Sequence, residues 1–136
     1  MFKLDARLET DTIALASWPL SELRLMNDAN FPWLILVPRV EGVTELYQLD
    51  HKQRLLLDQE SMFLGQTLMD VHSGDKLNVA ALGNVVSQLH IHHIVRFKVD
   101  AVWPAPVWGK LPARAYTTEE LALARKRLAP LVDQPW

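Results

Sequence analysis

Gln88-Leu89-His90-Ile91-His92-His93-Ile94-Val95-Arg96 gathers three of the five histidines of this chain into a stretch that otherwise reads as a buried strand. In an extended segment successive side chains point to opposite faces. Gln88, His90, His92 and Ile94 therefore share one face, and Leu89, Ile91, His93 and Val95 share the other. The hydrogen-bonding groups at 88, 90 and 92 form a candidate catalytic row. His93, among aliphatic neighbours, reads as a structural histidine whose ring is hydrogen-bonded inside the core.

The segments around this strand supply its sheet. Lys76 to Ala81 and Gln88 to Phe97 read as two strands joined near Gly83-Asn84, a pair typical of a turn or of close backbone approach. Trp33-Leu34-Ile35-Leu36-Val37, bounded by Pro32 and Pro38, is a continuous apolar run and predicts a central strand buried on both faces. Ser21 to Met26 alternates Leu23 and Leu25 with Glu22 and Arg24. Thr12 to Ala16 is a further strand, ended by Trp18-Pro19 and preceded by a short helix around Asp5 to Thr10.

Between Asp50 and His72 the chain has no proline, and Leu56, Met62, Phe63, Gln66 and Met69 fall at helical spacings, so an amphipathic helix covering the sheet is expected there, with Met62 and Met69 in its core stripe. Thr117 with Glu120 fits a capping box. Leu121, Ala124, Leu128 and Leu131 continue as the apolar stripe of a final helix that Pro130 disturbs. The sum is an α+β domain with a mainly antiparallel sheet, one long helix and a C-terminal helix. The 136 residues are expected to form a single domain, with a core of about residues 12–97 and a C-terminal extension over 98–136.

Composition excludes several classes of function. Fourteen basic against sixteen acidic residues give a net charge of -2, with no basic block suited to a nucleic-acid backbone. The absence of cysteine removes disulfides, thiolate nucleophiles and cysteine metal sites. The N-terminus lacks a signal-peptide core and no segment reaches the roughly 20 apolar residues that span a membrane, so a soluble cytoplasmic location with no membrane partner is the default expectation. Two histidines on one strand face can share a metal ion, but no third ligand accompanies His90 and His92 locally, and no metal site is expected.

The pattern Q-φ-H-φ-H-φ-φ, with Gly83-Asn84-Val85-Val86-Ser87 before it and Arg96 after the strand, resembles the signature H-φ-H-φ-H-φ-φ of the histidine triad (HIT) family of nucleotide hydrolases and transferases, and in particular bacterial-type HIT domain proteins related to dinucleoside polyphosphate hydrolases. The resemblance spans about Leu20 to Phe97. It puts Gln88 at the first triad position, His90 at the second and His92 at the third. A register starting at His90 would put Ile94 third and lose the match at Gly83.

The resemblance implies a HIT-like fold and attack of His90 on the α-phosphorus of a nucleoside phosphoramidate or dinucleoside polyphosphate, through a nucleotidyl-histidine intermediate and without metal or cofactor. His92 is then expected to donate to a phosphate oxygen, and Gln88 to hydrogen-bond phosphate or leaving group, although its amide cannot titrate as histidine does. Asn78, Gly83 and Asn84 correspond to phosphate-contacting positions, and Asn27 or Asp28 to a ribose-binding position. The base pocket is expected around Leu25, Phe31 and Leu36. Valine at position 85 replaces the serine or threonine of many relatives. Symmetric dimers among relatives imply a homodimer, for which exposed C-terminal aromatics would serve as interface. The alternative is a catalytically silent nucleotide-binding or interaction protein.

Other conspicuous residues have simpler readings. Trp103, Trp108 and Trp136 are expected to be packing anchors, one of which could line the mouth of the site. Arg96 reads as a surface or ion-pair arginine, His51 and His72 as exposed helix-end residues, and Glu119-Glu120 as favourable charge at a helix N-terminus.

Overall fold

The computed structural model describes residues 1–133 and 136. Its sheet is antiparallel throughout, in the order β1-β2-β3-β5-β4. The strands are β1 (Thr12–Ser17), β2 (Ser21–Met26), β3 (Trp33–Pro38), β4 (Lys76–Ala80) and β5 (Ile91–Arg96). The helices are α1 (Ala6–Asp11), α2 (His51–His72), α3 (Thr118–Arg127) and α4 (Ala129–Val132). The proline-bounded run is the central strand, and every residue of β3 is buried. This is the α+β architecture expected, with the final helix broken at Leu128 ahead of Pro130.

The two faces of the sheet are covered differently. Leu23, Leu25, Leu34, Leu36, Ile91 and Val95 belong to a core completed by Leu57, Leu64 and Leu68 of α2 and by Leu131 of α4. Each such leucine contributes about 1.5–3 kcal/mol relative to exposure. Trp33, Ile35, Val37 and Ile94 face the other way, where they meet Leu8 of α1, Val86 of the β4–β5 loop and Val107 of the C-terminal segment. An antiparallel strand that is apolar on both sides therefore has a physical reason: α1, the β4–β5 loop and the segment around Val107 cover the face that α2 leaves open.

Helix α2 starts at a capping box between Asp50 and Gln53 and ends at Ser73, which takes the left-handed conformation at φ 50°. Its buried stripe is Leu57, Glu60, Ser61, Leu64, Gly65 and Leu68. This corrects the expected stripe. Met62 is 58% exposed, Gln66 is exposed, and Leu56, Phe63 and Met69 flank the core. The polar residues that a hydrophobicity pattern discounts are buried because they have partners inside: Glu60 accepts from the Leu20 amide at 2.8 Å, and Ser61 Oγ bonds His93 Nε2 at 2.7 Å.

Strand β5 is shorter than the expected span of 88–97. Its ladder with β3 ends at Leu36 opposite Ile91, and its ladder with β4 ends at Ala80 opposite His92. His90 thus stands just beyond the last paired residue, where the chain leaves the sheet. The C-terminal segment is tied back to the β2–β3 loop by Ala29 N–H to the Arg114 carbonyl at 2.6 Å and Tyr116 N–H to Asn27 Oδ1 at 2.9 Å. Among the described residues no helix is long and apolar enough to cross a membrane.

Candidate active site

His90 and His92 sit at the open end of β5, on the face away from α2, with ring centroids 4.7 Å apart and nearly perpendicular. The Nδ1–H of His90 faces the Gln88 carbonyl at 2.7 Å. A carbonyl only accepts, so in the neutral ring the proton lies on Nδ1 and Nε2 keeps its lone pair. Nε2 makes no hydrogen bond among the described residues. That is the arrangement a nucleophilic imidazole needs.

His92 is placed otherwise. Its Nδ1 accepts the indole N–H of Trp33 at 3.0 Å, and its Nε2 lies 3.1 Å from the Leu82 carbonyl. Burial pushes its pKa down to about 4, helped by the neighbouring His90, while the Leu82 carbonyl opposes the shift. Both ring nitrogens are in use, so donation to a phosphate oxygen would require release from Leu82. His93, fully buried on the α2 face, is likewise held down to about 4 by burial. Its Nδ1 bonds the Ile91 carbonyl at 3.1 Å and its Nε2 bonds Ser61, the structural arrangement that its aliphatic neighbours implied.

The loop ahead of β5 closes toward His90. A Cβ built on Gly83 would lie 2.7 Å from the Val86 carbonyl oxygen and 3.7 Å from Cε1 of His90. The Val86 carbonyl leaves no room for a side chain here, so glycine is required by the fold of the loop, while the His90 ring stands at ordinary contact distance. Around the two histidines is a cleft of about 420 Å³, within the size range of small-molecule sites. Trp33, Met26 and Leu8 form one side, Val85 and Val86 another, and Val107, Trp108 and Leu111 of the C-terminal segment a third. Asp28, Arg7 and Asp11 supply its charged groups. Trp108 meets the His92 ring edge-on at 5.1 Å and Trp33 at 5.7 Å, so it is the tryptophan at the mouth.

The expected site residues divide into two sets. His90, His92 and Asp28 line the cleft, and Gly83 abuts His90. Asp28 is held by the amides of Asn30 and Arg114 on Oδ1. The Gln88 side chain is turned to the N-terminal segment, where Oε1 accepts from the Asp5 amide at 2.8 Å and Nε2 donates to the Lys3 carbonyl at 2.8 Å. Asn27 caps the Tyr116 amide, and Asn84 is exposed in the loop. Asn78, the β4 residue paired with Ile94, accepts from Arg96 on Oδ1 at 3.1 Å. None of these four side chains forms the cleft wall.

The base-pocket expectation is corrected. Leu25 and Leu36 point into the α2-side core at 1% and 0% exposure, on the opposite face of the sheet from His90. The apolar surface beside the histidines comes instead from Leu8, Met26, Trp33, Val86 and the Val107–Leu111 segment, which are far apart in sequence. Arg96 is no surface residue: it is 2% exposed, paired in bidentate fashion with Asp100 at 2.9 and 3.0 Å, and held between Phe31 and Trp103. His72 is half-buried, not exposed, with Nδ1 on the Leu68 carbonyl.

The C-terminal tryptophans pack against other side chains, as expected of anchors. Trp103 covers Arg96, Trp108 covers His92, and Trp136 meets Trp18 at a tilt and Phe63 edge-on, with centroids 5.2 and 5.6 Å away. All three thus have aromatic or cationic packing partners, as packing anchors should, while Trp136 keeps 49% of its surface exposed.

Comparison with known proteins adds to this geometry. The model of the HIT domain family matches residues 7–99. A histidine triad protein from Marinobacter aquaeolei is 50% identical, with a TM-score of 0.96 over 98% of each chain. One from Bradyrhizobium japonicum is 40% identical, with a TM-score of 0.93 over 96% of this chain and 98% of that one. A third, from Sinorhizobium meliloti, is 39% identical, with a TM-score of 0.91 over 94% and 95%. No curated protein matches the chain.

Proposed function

The chain belongs to the histidine triad (HIT) family, and from that membership we propose that it binds a nucleotide in the His90 cleft and hydrolyses it, or transfers its nucleotidyl group, at the α-phosphate. The observation that carries this reading is the free Nε2 of His90, with its proton held on Nδ1 by the Gln88 carbonyl. The Nε2 lone pair forms a bond to phosphorus as the bond from phosphorus to the leaving group breaks, and the leaving group departs with that electron pair. Water or another acceptor then attacks the same phosphorus, and the P–N pair returns to the ring.

Gln88 contributes through its backbone, which orients His90. Its amide, engaged with Asp5 and Lys3, is no acid for the leaving group. That supports substrates whose leaving group departs as a stable anion, as the remaining phosphate chain of a dinucleoside polyphosphate does, ahead of phosphoramidates whose amine must be protonated. Asp28 is the ribose candidate in the cleft, and the Gly83-Asn84 backbone the phosphate candidate. Asn78, whose amide nitrogen is not committed to Arg96, and Asn27 would need a shift of the surrounding chain to reach a ligand.

A cytoplasmic homodimer is part of the same proposal. The outer edge of β4 carries no further strand among the described residues, and Val79, Leu55, Met62 and Tyr47 are exposed apolar residues on β4, α2 and the turn before α2. Light scattering after gel filtration should give twice the chain mass at micromolar concentration; a stable monomer would remove this part. The catalytic part is tested by product analysis with dinucleoside polyphosphates and nucleoside phosphoramidates. Hydrolysis of the former at the higher kcat/KM is expected. Binding without turnover of either would turn the reading to a silent nucleotide-binding protein.

A further inference from the structure

His92 is a histidine with no nitrogen to spare. The indole N–H of Trp33 is a donor only, so the nitrogen it meets, Nδ1, carries a lone pair. The Leu82 carbonyl is an acceptor only, so the nitrogen it meets, Nε2, carries the proton. The tautomer is therefore fixed by the chemistry of two partners from two different elements. A protonated ring would set a second N–H against the indole N–H. Trp33 reaches this position because it pairs with Ile94 while Ile35 pairs with His92, which makes Trp33 the diagonal neighbour of His92 on the cleft face.

Leu82 immediately precedes Gly83, which faces the His90 ring so that a Cβ there would lie 3.7 Å from Cε1. The sequence of contacts Trp33 to His92 to Leu82 thus runs from the central strand to the loop that closes on the nucleophile. We propose that Trp33 is a positioning residue: its indole N–H holds His92 as the neutral Nε2–H tautomer, and His92 in turn clamps the Leu82-Gly83 loop beside His90. His92 then serves by holding backbone in place, and not as a cation on the substrate. The functional consequence rests on the reading of His90 as the nucleophile, but the tautomer and the clamp do not.

The groups that face His92 are few. His90 stands edge-on to it, Trp108 covers it, and Asp28, Asp11 and Arg7 line the same cleft. His93 lies on the opposite face of the strand and also acts on its titration.

The test is nitrogen-15 NMR of the histidine rings in the full chain, wild type and Trp33→Phe, with titration from neutral to acid pH. In wild type at pH 7, His92 should show a lone-pair nitrogen at Nδ1 and a protonated nitrogen at Nε2. In Trp33→Phe, which keeps an aromatic body and loses the N–H, the Nδ1 signal should move as its lone pair loses the donor, Nε2 should stay protonated on the Leu82 carbonyl, and the midpoint should rise by about one pH unit because Nδ1 is now free to take a proton. The Gly83 and Asn84 amides should exchange faster. A wild-type ring that is Nδ1–H or protonated at pH 7 overturns the proposal, as does an unchanged His92 spectrum in folded Trp33→Phe. If the substituted chain fails to fold, the wild-type tautomer decides. Because none of these readings uses turnover, an inactive protein with the expected tautomer refutes the enzyme reading alone, and an active one with the wrong tautomer refutes the clamp alone.

Discussion

Lowering the pH from 7.5 to 5 should destabilise this protein steeply, because two buried histidines are held neutral in the fold. His92 and His93 have an ordinary pKa of 6.5 that burial lowers to about 4 in the native state. The unfolded chain therefore binds protons that the native chain refuses. Stability is full above pH 6.5 and falls as the pH drops through the unfolded value, until the native rings themselves protonate near pH 4. At pH 5 each ring contributes a loss of about 2 kcal/mol, or about 4 kcal/mol for the pair, out of a total of about 5–15 kcal/mol for a domain of this kind. His72, also lowered chiefly by burial, acts in the same direction. Asp100 acts in the same direction too, but below this window. Burial alone would raise its carboxyl, and the Arg96 guanidinium and the Phe97 and Val102 amides more than offset that, so its contribution is lost only below the ordinary 3.8. Urea unfolding at pH 7.5, 6.5, 5.5 and 5.0 reads the effect directly. His93→Gln, if folded, should roughly halve the slope. A stability that stays flat from pH 7.5 to 5 would refute the reasoning, since it would mean that these rings are charged or solvated in the native state.

Two further substitutions separate packing from chemistry. Gly83→Ala places a methyl group 2.7 Å from the Val86 carbonyl and beside His90. Turnover should drop by about 100-fold and the melting temperature should fall as the loop shifts around the Val86 carbonyl, and unchanged turnover of the folded protein would show that the loop is not held against His90. Asp100→Ala leaves the Arg96 guanidinium buried without its counter-charge, and should cost about 3–5 kcal/mol in urea unfolding. A loss below about 1 kcal/mol would show that Arg96 escapes to solvent.

What could be read in the sequence was local. The capping box at Thr117 and Glu120 marked the final helix, the proline-free span from Asp50 to His72 the long one, and the prolines around Trp33-Leu34-Ile35-Leu36-Val37 the central strand. Period-two alternation placed His90 and His92 on one face and His93 on the other, because a strand's faces depend on its own sequence alone. The helix stripe was misread because burial of Glu60 and Ser61 depends on the Leu20 amide and His93, partners that helical periodicity does not contain. The cleft wall was missed for a similar reason. Leu8, Met26, Trp33 and Trp108 meet only after the chain ends have crossed the sheet, and the Trp33–His92 bond depends on strand register. Gln88 was expected in the row of its face, but the strand stops pairing at Ile91, and three residues earlier the side chain is free to turn to Lys3 and Asp5.

The central claim is that His90 Nε2 attacks phosphorus, and it is tested most directly by intact-protein mass spectrometry after rapid quenching with a dinucleoside polyphosphate. Wild type should carry one added nucleotidyl group, removed on tryptic mapping with the peptide that contains His90, and His90→Ala should carry none while binding the nucleotide within a few-fold of wild type. An adduct of equal yield on His90→Ala, or products formed with no adduct on wild type under any quench time, would contradict it.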